Sequence, residues 1–178
     1  MVSSAIYVVA SGASLRGFDF ELLRGGEIVT VNDNYQWIPF AQHLVILDKP
    51  FFKKHLEGLT NFEGKIYNDR GIPGCLSIPT THINNSGYSA LLLALSFHPK
   101  VIHLLGFDLC RITYSHHFDE LPAPSYTNFQ EVAEAIDRID TKIRIINYSD
   151  ISILKRFPKR PLAELPLPKG NKNSLTGK

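Results

Sequence analysis

The chain has 178 residues, 44% hydrophobic and 20% charged, which fits one globular domain and excludes disordered and collagenous classes. Its formal net charge of +2 argues against a nucleic-acid partner, and no apolar run approaches the ~18 residues that a membrane span needs. Two cysteines, Cys75 and Cys110, without CxxC or Cys/His ligand spacing, exclude a structural zinc site; with an opening that lacks a basic n-region, they predict a cytoplasmic protein.

Residues 5–10 (AIYVVA) form a continuous β-branched and apolar run, the pattern of a buried strand, and stop at the small-residue turn Ser11-Gly12-Ala13-Ser14. Residues 27–32 (EIVTVN) and 43–48 (HLVILD) predict two more strands, closing on Asn32 and Asp48. Short helices are expected at 18–23, 35–40 and 51–56. A weaker strand at 65–68 runs into a surface loop of turn formers, 69–74 (DRGIPG). Asn85-Ser86-Gly87 opens the clearest helix, 87–98, which Pro99 ends. The run 100–106 (KVIHLLG) is the clearest buried strand and leads into Phe107-Asp108. An amphipathic helix at 129–139, a strand at 142–147 (KIRIIN) and a short helix at 150–156 complete the series.

Alternating strands and helices predict a three-layer, Rossmann-like α/β domain with a mainly parallel sheet over residues 1–158. Residues 159–178 are Pro-rich, and from Lys155 to Lys178 there are seven Lys or Arg and a single acid, Glu164. That stretch reads as a flexible basic tail with no packed element.

In parallel α/β sheets the ligand crevice lies beyond the carboxyl ends of the strands, so polar residues at strand exits are the candidates for binding. Ser11, Gly12 and Ser14 make a turn whose small residues let backbone N–H groups and hydroxyls approach a phosphate; its alternative is a tight turn with no ligand. Asn32 offers an amide suited to a base edge or ribose, and Asp48 ends the third strand. Asn85, Ser86 and Gly87 sit where unpaired N–H groups and the helix dipole favour an anion, or serve as an ordinary cap. Gly106 and Asp108 end the best core strand, placing an acid that can accept ribose hydroxyls or hold a metal, its alternative being an ordinary turn residue. The turn at 11–14 matches neither GxGxxG nor a P-loop, and no DxD is present, so NAD, Walker-type ATP and a metal-bound nucleotide sugar are disfavoured. No cofactor and no metal are expected. Tyr114, His116 and His117 share one loop with Asp119 and Glu120, the densest acid/base stretch in the chain. His43, His55, His82, His98 and His103 read as scattered core or surface residues.

In order, the blocks ASGASLRGFDFELLRGGEIVTVNDNY and NNSGYSALLLALSFHPKVIHLLGFDL resemble the bacterial lipooligosaccharide sialyltransferases that use CMP-sialic acid. They also resemble phage-encoded proteins with that Rossmann-like core and, more distantly, pterin pyrophosphokinase-like proteins. The resemblance implies a nucleotide or nucleotide-sugar partner, CMP-type favoured, held by the first loop (Ser11 to Leu15), Asn32, Asn85-Ser86-Gly87 and Gly106-Phe107-Asp108-Leu109, with Tyr114 matched loosely. Ser11 stands where the family has asparagine, and the third strand ends in Asp48 rather than asparagine. The family's catalytic histidine precedes the penultimate helix, where this chain reads Ser125-Tyr126-Thr127-Asn128; His116 or His117 is the substitute base. The expected function is nucleotide or nucleotide-sugar binding, with transfer from a CMP-sugar as the reaction implied by the resemblance. Non-catalytic sequestering or an interaction role is the alternative.

Overall fold

Runs of β-branched and apolar residues, alternating between two buried faces, build the sheet at the centre of the computed structural model, which describes residues 4–110 and 128–169. The strands are β1 (Ala5–Val9), β2 (Glu27–Val31), β3 (His43–Val45), β4 (Lys65–Asn68), β5 (Leu76–Ser77), β6 (Val101–Leu105) and β7 (Arg144–Asn147). They lie in the order β5-β4-β3-β2-β1-β6-β7. Every pairing is parallel, so the sheet expected to be mainly parallel is parallel throughout.

The period of two along each strand divides the core. Ile6, Val8, Val29, Val31, Ile102 and Leu104 pack with the helices α3 (Ser86–Ser96) and α4 (Phe129–Asp137). Tyr7, Val9, Ile28, Leu44, Leu105 and Ile146 pack on the other face, against residues of 3-10 turns and of α1 (Lys49–Lys54) and α2 (Leu56–Leu59). The domain is thus a three-layer, Rossmann-like α/β fold. No helix among the described residues is long and apolar enough to cross a membrane.

Four expectations change. The segments at 18–23 and 35–40 are not α-helices but 3-10 turns, Phe20–Leu23 and Asn32–Gln36, since Gly25-Gly26 and Pro39 leave no length for a helix to repay its nucleation. Strand β5, two exposed residues at the sheet edge, carries no hydrophobic pattern to reveal it. Residues 150–156 form no helix. Ser152 Oγ donates to the Phe107 carbonyl and Ile153 N–H to that of Asp108, while the Asp137 carboxylate accepts from the Lys155 and Arg156 N–H groups; local side-chain partners replace the helical ones.

The fourth concerns the tail. From 159 to 169 the chain packs on the body: Asn147 N–H donates to the Pro158 carbonyl and Arg160 N–H to that of Asn147, and Lys159 bridges to Asn147 in parallel. Farther on, Tyr7 donates to the Pro166 carbonyl at 2.6 Å, and Leu165 is buried among the residues of the second face. Two leucines of this proline-rich stretch, Leu162 and Leu165, pack with the second face, which includes Leu105 of β6 and Ile146 of β7.

Candidate functional site

Strand order fixes where a site can be. Strand β1 is followed by β2 on one side, and the chain later crosses back to place β6 on the other, so the switch point lies beyond the carboxyl ends of β1 and β6. A cavity of about 410 Å3 opens there, lined from the exits of β1 (Ala10, Ser11, Gly12), β2 (Asn32), β3 (Asp48) and β6 (Gly106 and Asp108). Arg70, beyond β4, and Asn84 to Gly87, at the start of α3, line it too.

Two glycines bring the β1 and β6 exits together. Gly12 N–H donates to the Gly106 carbonyl at 3.0 Å, and a Cβ on Gly12 would lie 2.3 Å from that oxygen and 2.6 Å from Asp108 Cγ. Gly106 has φ of +71°, a conformation in which other L residues are strained.

Asp108 is 4% exposed, and its carboxylate is engaged by the chain. Oδ1 accepts from Ser14 Oγ at 2.5 Å and Ser149 Oγ at 2.6 Å, and Oδ2 from Ser14 N–H at 2.8 Å. The acid expected to take a ribose hydroxyl lines the cavity and also braces the β1 turn against the turn after β7. Ser14 belongs to this brace and is not among the residues lining the cavity. Ser149 carried no signal in the sequence, because its partner lies across the sheet.

The asparagines divide by how they are held. Asn34 is fully buried and donates to the Val9 and Ala10 carbonyls at 3.2 Å each, while its oxygen accepts from Ser11 Oγ at 3.1 Å. It is scaffold. Asn32 has φ of +48°, a left-handed backbone that asparagine tolerates better than most residues, and its oxygen accepts from Ser86 Oγ at 3.1 Å. Asn85 caps α3 by accepting from Tyr88 N–H at 2.9 Å. Asp48 likewise caps α1, accepting from Phe51 N–H at 3.0 Å, with the residue otherwise exposed.

Among the described residues that line the cleft Arg70 is the cation, and a reading of 69–74 as a plain surface loop passes over it. Its N–H donates to Asn68 Oδ1 at 2.6 Å, and Asn68, 1% exposed, donates in turn to the Ile46 carbonyl. The guanidinium Nη2 donates to Asn84 Oδ1 at 2.8 Å, and Nε lies 3.6 Å from the Asp69 carboxylate. Its place two residues beyond the end of a strand was the available signal, as the strand exit was for Asn32.

All the residues expected to bind nucleotide, apart from Ser14, therefore line one cavity: Ser11, Gly12, Asn32, Asp48, Asn85, Ser86, Gly87, Gly106 and Asp108. Tyr114, His116 and His117 lie outside the described residues. Among the described residues no cluster of His, Cys, Asp or Glu forms a metal site. Cys110 lines the cavity as a free thiol whose pKa burial pushes up, with Asp108 adding to the shift and Lys159 opposing it. No protein-family model, no curated protein and no solved structure matches the chain.

Proposed function

We propose that the chain is a nucleotide- or nucleotide-sugar-binding protein of glycosyltransferase-like fold, its ligand lying across the carboxyl edge of the sheet. The observation that carries this reading is the convergence of the exits of β1, β2, β3, β4 and β6, with the start of α3, on one cavity at the switch point, where doubly wound sheets take their ligands. A volume of about 410 Å3 falls in the size class of small-molecule clefts. Val31, Leu47, Pro50, Phe107 and Leu109 offer apolar wall to a base or sugar ring, and the unpaired N–H groups opening α3 favour a phosphate. The resemblance of these loops to CMP-sialic acid-dependent enzymes favours cytidine as the base.

One observation favours binding without catalysis: the buried carboxylate that lines the cleft, Asp108, is engaged by Ser14 and Ser149, and Asp48 holds a helix cap with one oxygen. Transfer from a CMP-sugar would need another base; His116 or His117 is proposed for it, with Tyr114 on the leaving phosphate.

Calorimetric titration with CMP, AMP, GMP and UMP tests the reading. CMP is expected to bind most tightly, and Asn32→Gly, which suits the left-handed backbone while deleting the amide, to weaken it by ~1–3 kcal/mol. If none of the four binds below millimolar concentration, the nucleotide reading fails. Hydrolysis of a CMP-sugar that His116→Ala or His117→Ala abolishes would decide for transfer over sequestering.

A further inference from the structure

The hydroxyl groups that a phosphate cradle would use are already committed. Ser11 donates to Asn34, Ser14 to Asp108 and Ser86 to Asn32. What remains at the α3 end of the cleft is nitrogen. Asn84 Oδ1 accepts from the Arg70 guanidinium and Asn85 Oδ1 from the Tyr88 N–H. Neither partner can accept a hydrogen bond, so each carboxamide has one possible orientation, its oxygen turned inward.

The NH2 groups of Asn84 and Asn85 have no partner among the described residues. Asn84 is exposed, Asn85 is half-buried and its nitrogen is not shut away from solvent. Arg70 uses one Nη2 proton on Asn84 and keeps Nη1 unbonded among the described residues. Its partial counterion Asp69 is largely buried and is not among the residues lining the cavity.

We propose that Arg70, Asn84 and Asn85 form an oxyanion subsite that recognises a tetrahedral anion through nitrogen donors alone. It rests on the cleft reading above but not on the identity of the base. With donors only, the subsite has no acceptor with which to require a proton on the ligand. It takes sulfate, which carries no proton near neutral pH, as readily as phosphate, and it takes the phosphodiester of a nucleotide sugar as well as a terminal phosphate. Asp48, exposed and with one oxygen engaged as a cap, is left as the acceptor for hydroxyl groups elsewhere on the same ligand.

Asn→Asp substitution separates this role from a structural one. In Asn85→Asp the oxygen still caps Tyr88, and aspartate is as good a cap as asparagine, but the NH2 becomes a charged acceptor. Asn84→Asp likewise keeps the oxygen that Arg70 binds. The probes are CMP, cytidine, inorganic phosphate and sulfate at constant ionic strength, read by calorimetry and thermal melting. CMP is expected to bind at least ~10-fold tighter than cytidine, sulfate to compete as well as phosphate, and both variants to lose ~10-fold or more in CMP affinity with no fall in Tm. Cytidine binding as tightly as CMP, or Asn85→Asp binding CMP like the parent, would overturn the subsite while leaving the nucleotide cleft standing. If no nucleotide binds but sulfate and phosphate raise the Tm of the parent and not of Asn85→Asp, the base reading fails and the subsite stands. An Arg70→Gln variant that keeps full sulfate and phosphate binding also overturns it.

Discussion

The polar groups of the sheet behave in opposite ways at its two ends. At the carboxyl edge Asn84, Asn85 and Asn32 each have one end fixed by the protein and the other left toward a cavity. Toward the amino edge His43 is closed on both sides. Its Nε2 lies 2.8 Å from the Glu27 carboxylate and its Nδ1 3.0 Å from the Tyr67 hydroxyl. Because a carboxylate can only accept, Nε2 carries the proton and Nδ1 accepts from tyrosine. His103, 3% exposed, bonds Tyr148 and stacks on Tyr7 with ring centroids 5.1 Å apart. Histidine is the more reactive residue by type, yet it is the half-satisfied asparagine that is available to a ligand. Availability follows from the valence left open by packing, not from the chemistry of the side chain.

The strongest way to break this comparison is Asp108→Ala. A braced carboxylate, once removed, leaves the Ser14 N–H and hydroxyl and the Ser149 hydroxyl without their acceptor, an expected loss of about 3 kcal/mol in urea unfolding. A variant of unchanged stability but weakened CMP binding would move Asp108 from the scaffold to the ligand set.

Next in size is acid. Burial pushes the His103 imidazole from 6.5 down to about 4, helped by Arg144. It lowers His43 in the same direction against the opposing pull of Glu27. Both are neutral when folded at pH 7, and the unfolded chain takes up protons first. Stability from these groups is full above the unfolded value and is lost as pH falls from about 6.5 toward the folded value. At pH 5 His103 alone should cost roughly 2 kcal/mol relative to pH 7. Urea midpoints across this range check it, with a flatter profile expected for His103→Gln.

The last of these effects, similar in size, separates packing from recognition. Leu165→Ala, in the stretch expected to be free, should lower stability by about 2 kcal/mol, because Leu165 is buried against the second face of the sheet. Its CMP affinity should match the parent. Equal melting temperatures for variant and parent would return 159–169 to the status of a tail.

How much of this the sequence shows depends on the range of the interaction. The strands, the start of α3 and the positions of Asn32, Ser86 and Gly106 are legible because apolar runs, caps and Pro99 are local signals. The engagement of Asp108 is not, since Ser14 and Ser149 lie 94 and 41 residues away in the chain. Arg70 is hidden by a different cause: a loop of Gly and Pro reads as exposed, and exposure alone does not say that it faces the cleft. The packed stretch after Pro158 defeats composition, because its hold on the body is made of backbone hydrogen bonds and two leucines rather than a periodic face.

The same stretch has a consequence for how copies of the protein meet. An edge strand with free N–H and C=O groups invites pairing with another molecule. Strand β7 meets residues 158–160 through both backbone groups of Asn147, and β5, at the opposite edge, is only two residues long. One edge is met by the chain itself at Asn147 and the other is too short to template a neighbour. Losing the segment after Phe157 would therefore do more than loosen one domain: it would free both backbone groups of Asn147 at the β7 edge and bare the apolar surface under Leu165, and crowded molecules would be expected to join there into insoluble assemblies.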